Sequence, residues 1–268
     1  MSEDRATALV TTVAAGLPGI SLPEVLDTTG LMSRVDRKFV VGHAEFLSFV
    51  DGIGGLLALD IEGRRSFGYS STYFDTPGLA VYHAHRQGRR RRYKIRTRTY
   101  ADTADTFCEL KLSGRREVTI KRRQPHPSRE ADTMTPDALD FLDRELGTRF
   151  GLSAPRPLTA SLVTGYRRTT LVTADRLTRI TCDTSLRWSR GTATRRAAQG
   201  LVLLEVKSAG GATPVLKRLR LRETGLSKYC AGLVALGAAP GGNRWLPALR
   251  GIGAAPVSRS DAPWSRPR

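Results

Sequence analysis

The stretch Tyr93-Lys-Ile-Arg-Thr-Arg-Thr-Tyr100 sets Lys94, Arg96 and Arg98 at every second position, with Ile95, Thr97 and Thr99 between and after them. Successive side chains of a β-strand point to opposite faces, so this spacing sends three cations one way. The arrangement recurs downstream. Glu109 and Lys111 alternate with Cys108, Leu110 and Leu112, and Glu117, Thr119 and Lys121 alternate with Val118 and Ile120. Arg179, Thr181 and Asp183 alternate with Ile180 and Cys182, and Glu205 and Lys207 with Leu204 and Val206. One such strand is an ordinary solvated face. Several of them imply a sheet with one apolar side and one strongly charged side. Curled into a barrel with the charges inside, that sheet would be a tunnel for a polyanion.

Charge points the same way. Lys plus Arg total 43 against 25 Asp plus Glu, a net charge of +18 over 268 residues. That balance implies an anionic partner: nucleic acid, polyphosphate, nucleotide or an acidic membrane surface. Arg is used far more than Lys, so part of the excess reflects a general preference for Arg. Cys108, Cys182 and Cys230 have no metal-ligand spacing and fall at apolar positions, as buried thiols of a reduced cytoplasmic protein would. Glu3 and Asp4 come early and the apolar Leu9–Leu17 stretch stops at Pro18, so no signal peptide is expected. No apolar run reaches the ~18 to 20 residues of a membrane helix.

The length allows one large domain or two small ones. Expected strands are Val35–Val41, Ser70–Phe74, Tyr93–Tyr100, Phe107–Leu112, Glu117–Arg122, Leu158–Tyr166, Arg168–Val172, Leu177–Asp183 and Leu201–Lys207. Helices are expected over residues 1–20, after Ser21-Leu-Pro-Glu24, over His43–Val50, from the cap Thr135-Pro136 to Leu146, from Thr213-Pro214 to Arg222, and from Ser227 to Leu236. Ile53-Gly-Gly-Leu56 reads as a break, and Asp75-Thr-Pro-Gly78 as a turn. The chain thus divides into an N-terminal helical segment (1–30), a strand-rich domain (31–238) and a disordered tail (239–268) rich in Gly, Pro, Ser and Arg. With charges inside a barrel, helices must cover its apolar outside.

Several chemistries lack their motifs. There is no Walker-type phosphate loop, no Rossmann glycine fingerprint and no Gly-x-Ser-x-Gly. His83-x-His85 is a weak pair and is read as a non-ligand. Phosphoryl transfer suits what remains. It requires neutralising charge and holding attacking and leaving oxygens in line, and Lys and Arg rows do that, Arg in bidentate fashion. Carboxylates must hold a divalent metal on the phosphates. The candidates are Glu205, Glu109 and, further out, Asp36 or Asp183. Glu109-Leu-Lys111 and Glu205-Val-Lys207 each set a carboxylate beside a cation; a plain cross-strand salt bridge is the competing reading of each.

Eight motifs in order now form a pattern: Ser33-Arg-Val-Asp-Arg-Lys-Phe-Val-Val41, Tyr73-Phe-Asp-Thr-Pro77, Lys94-Ile-Arg-Thr-Arg98, Glu109-Leu-Lys111, Tyr166-Arg-Arg168, Arg179-Ile-Thr-Cys-Asp-Thr184, Leu204-Glu-Val-Lys207 and Ser227-Lys-Tyr229. Together they resemble the VTC domain, the polyphosphate polymerase domain within the CYTH-like, triphosphate tunnel metalloenzyme superfamily. The likeness runs from about residue 30 to 237. It implies an α+β fold: an eight-stranded antiparallel β-barrel, or tunnel, with a charged interior, flanked by helices. It also implies transfer of the ATP γ-phosphate onto a growing polyphosphate chain, with Mn2+ or Mg2+. Carried over by position, the catalytic cations would be Lys38, Arg96, Arg98, Lys111, Lys121, Arg168, Arg179, Lys207 and Lys228. Lys94 would join the substrate-binding set, and Glu205, with Glu109, would serve the metal. Where the hydrolases of the superfamily open on Glu-x-Glu-x-Lys, this chain has Arg34, Asp36 and Lys38, which favours a polymer-binding tunnel over triphosphatase chemistry.

Three functions compete. The first is a polyphosphate polymerase whose partners are ATP and polyphosphate, cytoplasmic and possible to station at a membrane through a separate membrane partner. The second is a triphosphatase or polyphosphatase of the same fold. The third is a non-catalytic polyanion or nucleic-acid binder. Nucleic acid is not expected, because base-stacking aromatics should interleave with the cations and only Tyr93 and Tyr100 bracket the Lys94 strand.

Overall fold

A computed structural model describes residues 4–29, 35–113, 119–208, 216 and 220–254. The elements run α1 (Arg5–Ala15), β1 (Gly19–Ile20), α2 (Leu22–Thr29), β2 (Val35–Val41), α3 (His43–Ile53), β3 (Leu56–Leu59), β4 (Phe67–Asp75) and α4 (Ala80–Arg86). Then come β5 (Tyr93–Tyr100), β6 (Thr106–Ser113), β7 (Thr119–Pro125), α5 (Pro136–Phe150), β8 (Thr159–Thr173), β9 (Thr178–Arg190), β10 (Ala193–Arg196) and β11 (Val202–Ser208). Two helices close the order, α6 (Lys228–Ala235) and α7 (Leu246–Gly251).

Period-two alternation sorts the sheet into two chemically different faces. Ile95, Cys108, Leu110 and Leu112 pack beneath Ala138, Phe141, Leu142 and Leu146 of α5. Thr135 caps that helix by accepting from the Ala138 amide at 3.2 Å, and Gly151 ends it at φ 65°, a left-handed conformation that glycine adopts without steric cost. On the neighbouring strands Ile180, Cys182, Leu204 and Val206 pack with Phe46 and Phe49 of α3 and with Ala6, Val10 and Ala14 of α1. The N-terminal helix therefore belongs to the same core. Asp4 ties it down, accepting from the amides of Ala6, Ser185 and Gly200. All three cysteines are buried and free.

Eight strands hydrogen-bond in the order β2-β11-β9-β8-β4-β5-β6-β7, and every pairing along this path is antiparallel. Among the described residues β2 and β7 do not pair, so the sheet is not seen to close into the expected barrel. The far edge of β2 is already taken, because Thr224 N donates to Lys38 O at 2.7 Å and Phe39 bridges to Glu223. The sheet still curls, since Lys38 on β2 acts electrostatically on Lys94 and Lys111 of β5 and β6. The charged face is thus the concave one.

Four further differences separate sequence from structure. The two strands expected over 158–172 are one strand, β8, with a bulge between Gly165 and Arg167; bulges bend a strand and sharpen its twist without ending it. Leu56–Leu59, read as following a break, pairs with β8. Helix α6 does not cover the outside. It packs on the charged side's end of the sheet, where Trp188 lies against Gly232 so closely that a Cβ there would collide with the indole. Finally, the tail expected to be disordered from 239 is ordered through 254: Trp245, Ala248, Leu249, Ile252 and Ala254 are buried against α6. The helix expected from Thr213 and the start of the strand expected from Glu117 lie outside the described residues.

Candidate active site on the concave face

Cross-strand register lines up the predicted residues. Lys94 on β5 stands opposite Lys111 on β6, which stands opposite Lys121 on β7. One row along, Arg96 faces Glu109. From the other edge, Lys38 on β2 faces Glu205 on β11, which faces Thr181 on β9. The next row is Asp36, Lys207 and Arg179. Arg168 on β8 faces Asp183 on β9.

Two buried carboxylates organise the cations. Glu109 accepts from Arg96 Nε at 2.8 Å and Nη2 at 2.6 Å; Lys121 Nζ lies 2.7 Å from its other oxygen and Arg98 Nε lies 3.8 Å away. Burial alone would raise the Glu109 carboxyl, but these three cations outweigh it and hold it well below the usual carboxylate range. With cations on both oxygens, Glu109 anchors Arg96 and Lys121 on this face. Asp183 accepts from Arg168 Nε at 2.6 Å and Nη2 at 2.8 Å, and from Lys228 Nζ at 2.5 Å. Its carboxyl is likewise lowered against the opposing effect of burial.

Glu205 is differently placed. Among the described residues its one ion pair is with Lys207, at 3.2 Å, and Lys207 also donates to Asp36 at 2.9 Å. Burial opposes its charge, yet Lys38, Lys207, Arg168 and Lys228 together depress its pKa well below the ordinary value. Among the described residues no group of three or more His, Cys, Asp or Glu could hold a metal ion by itself. The carboxylates that could serve a hard cation carried in by phosphate oxygens, which needs only one or two protein ligands, are Glu205 and, across the shared Lys207 ammonium, Asp36.

Lys228 enters from the first turn of α6. Ser227 caps that helix by accepting from the Cys230 amide at 3.3 Å, and Trp188 Nε1 donates to the Lys228 carbonyl at 2.8 Å. Asp75 braces the base: fully buried, it accepts from the amides of Val81 and Tyr82 and from the Tyr229 hydroxyl. Within the Tyr73-Phe-Asp75 motif, Asp75 is thus structural.

A tyrosine layer underlies the cations, and sequence reasoning passed over it. Arg98 and Arg168 both lie 5.5 Å from the ring centroid of Tyr69. Tyr69 stacks on Tyr166 at 5.3 Å, and Tyr166 carries Arg168 at 5.2 Å and Lys228 at 4.7 Å. Tyr73 receives a hydrogen bond from Arg96 at 3.0 Å. The signal was there: Tyr69, Ser71 and Tyr73 repeat at period two, on the face that register aligns with Arg98 and Arg96.

The VTC domain family matches residues 33–236. No curated protein matches the chain. Similar solved structures include a putative adenylate cyclase from Bacillus halodurans, with 13% identity and a TM-score of 0.45 over 73% of this chain and 94% of that one. A putative adenylyl cyclase from Hippeastrum, described as having a dominant triphosphatase activity, has 12% identity and a TM-score of 0.45 over 80% and 99% of the two chains. The PH1012 protein of Pyrococcus horikoshii OT3 has 13% identity and a TM-score of 0.40 over 71% and 92%.

Proposed function

The chain belongs to the VTC domain family, and from that premise we propose that it is a polyphosphate polymerase, moving the γ-phosphate of ATP onto inorganic polyphosphate along the concave face. The observation that carries this reading is a surplus of charge. The cations of the face outnumber its carboxylates Asp36, Glu109, Asp183 and Glu205, and Lys94 and Lys111 have no ion pair among the described residues. A face so arranged is complementary to a chain carrying about one charge per phosphate.

In the proposed reaction an oxygen of the acceptor's terminal phosphate attacks the γ-phosphorus in line, the bond from that phosphorus to the bridging oxygen breaks, and ADP leaves. Both reactants are anions, so the protein's task is to suppress their repulsion and fix their line of approach. Arg96, Arg98 and Arg168 present guanidinium groups whose orientation is set beforehand by Glu109, Asp183 and Tyr69. Lys38, Lys94, Lys111, Lys121, Arg179, Lys207 and Lys228 supply further positive charge along the track. Glu205, with Asp36, would hold a divalent cation, Mn2+ or Mg2+, which when bound neutralises phosphate oxygens.

A triphosphatase is the second reading, because Glu205 and its cations would serve water as acceptor equally well. Incubation of purified protein with ATP and Mn2+ separates the two: polymerisation gives chain-length ladders on a gel, hydrolysis gives orthophosphate and no polymer. Absence of a ladder with every divalent metal, from folded protein, would sink the polymerase reading. A cytoplasmic site of action, with any membrane step left to a separate partner, is part of the same proposal. No helix among the described residues is long and apolar enough to cross a membrane.

A further inference from the structure

The accessible aromatic rings of the concave face gather at one end of it. Lys94, near the start of β5, opens the lysine row, and Tyr100 closes the same strand. Tyr69 on β4 stands opposite Tyr100, and Phe107 on β6 stands opposite Arg98. Tyr69, Tyr100 and Phe107 are half-buried, whereas Tyr73 and Trp188, which pack on α6, are buried. Among the described residues neither Tyr100 nor Phe107 joins the apolar clusters that the helices cover. Rings that lie under no helix and stay part open to water keep a face for a ligand.

The geometry of these rings suits a flat guest. The Tyr100 and Phe107 rings stand at 90° with centroids 6.0 Å apart, and Tyr69 lies 5.1 Å from Tyr100. Two rings at a right angle make a corner, in which a third planar ring can stack on one and meet the other edge-on. Arg123 on β7 lies over Phe107 at 4.8 Å. Glu109 stands opposite Arg123 in register, but that carboxylate is taken by Arg96, Arg98 and Lys121, and Arg123 stays exposed. The corner thus has a guanidinium at its rim. From Arg96 to Tyr100 is four residues of β5, about 13 Å at the rise of a strand. A sugar and two phosphates can lie along that interval, between a base on Tyr100 and a terminal phosphate at Arg96.

We propose that Tyr100, Phe107 and Arg123 form a nucleobase subsite: the base of a nucleoside triphosphate stacks on Tyr100 in the corner closed by Phe107, and Arg123 supplies charge for the α-phosphate. This rests on the reading of the concave face as a triphosphate-binding surface and adds to it the place of the nucleoside. The subsite fixes an orientation. With the base at the Tyr100 end, the γ-phosphate points along β5 towards Lys94, so the acceptor chain lies across the lysine row. Recognition by stacking is tolerant of base identity, because every base has a π-face; the subsite therefore takes ATP and GTP alike.

The test uses the full chain with inorganic triphosphate, ATP, GTP and the triphosphate of 2-aminopurine riboside, a fluorescent base that stacking quenches. Binding to the parent protein should quench that fluorescence, and Tyr100→Leu should abolish the quench. By calorimetry, Tyr100→Leu and Phe107→Leu should each weaken ATP and GTP by about tenfold while changing inorganic triphosphate by less than about twofold. Tyr100→Phe, which keeps the ring, should bind ATP as the parent does. If the fluorescent nucleotide binds the parent unquenched, if the leucine variants weaken ATP and inorganic triphosphate equally, or if inorganic triphosphate binds and ATP does not, the base subsite is overturned and the phosphate-binding reading stands. If neither ATP nor inorganic triphosphate binds the parent, that reading falls and the subsite falls with it.

Discussion

Arg168 forks onto Asp183 across β8 and β9 through two hydrogen bonds of 2.6 and 2.8 Å. The same carboxylate takes Lys228 from α6, so one acid fixes a strand arginine and a helix lysine relative to each other. Removing its charge leaves two cations of the face without their counter-ion.

Asp183→Asn should therefore destabilise the fold by about 3 to 5 kcal/mol, which lowers Tm by about 10 °C in a chain of this size. The pH dependence has a definite sign. The folded carboxyl is held below its ordinary value by Arg168 and Lys228 against the effect of burial. Its contribution is then complete above about pH 4, the unfolded value, and is lost as pH falls below it. Acid unfolding of the variant should be correspondingly shallower. Equal melting temperatures for variant and parent at neutral pH would show that the pair is energetically idle.

Glu205→Gln should leave the melting temperature within a few degrees of the parent while reducing product formation by about 100-fold or more, the scale of losing metal-assisted charge stabilisation worth several kcal/mol. The paired readout is metal-dependent turnover and thermal melting. Unchanged turnover in the variant would remove Glu205 from the chemistry.

Tyr69 separates a platform from a filler. Its ring lies beneath Arg98 and Arg168 together, and cation–π contacts are worth about 0.5 to 2 kcal/mol each. Tyr69→Leu should weaken triphosphate binding by roughly tenfold, and Tyr69→Phe, which keeps the ring, should restore most of it. Equal loss in both variants would assign the effect to the hydroxyl.

Binding of triphosphate should take up protons. Lys111, brought to about 7, and Lys94 and Lys121, brought to about 8, are part-deprotonated in the free protein near neutrality. Desolvation is the largest cause in each case, and a bound anion opposes it. Affinity should fall steadily from pH 6.5 to 9. Calorimetry in two buffers of different ionisation enthalpy should register net uptake at pH 8, and a pH-independent affinity over this range would contradict the crowding of the lysine row.

Trp245 tests the ordered C-terminal segment. It is buried against α4 and α6, with its ring 5.5 Å from that of Tyr82. Trp245→Ala should cost about 3 to 5 kcal/mol, measured by urea unfolding. A neutral substitution would return residues 239–254 to the status of a tail.

The alternation of Lys94, Arg96 and Arg98, of Glu205 and Lys207, and of their apolar neighbours was legible because the two-residue repeat is a property of each strand alone. The caps Thr135 and Ser227 were legible for the same reason. Trp245, Leu249 and Ile252 were obscured by the surrounding glycine and proline, although Trp245 and Leu249 stand one helical turn apart. The continuity of β8 was hidden because a bulge near Tyr166 interrupts the repeat without interrupting the strand.

What the chain by itself determined is which side chains share a face. Only the tertiary structure decided what each charge does there. Glu109 and Glu205 each precede a lysine by two residues in sequence, yet register gives Glu109 to Arg96 and Lys121 and leaves Glu205 facing Lys38 and, among the described residues, ion-paired with Lys207 alone. The edge of β2, taken by residues 223 and 224, likewise decided that the described sheet is an open curl. Partners of this kind come from distant parts of the chain. Coulomb energy and hydrogen bonding depend on distances of a few ångströms, which local sequence spacing does not contain.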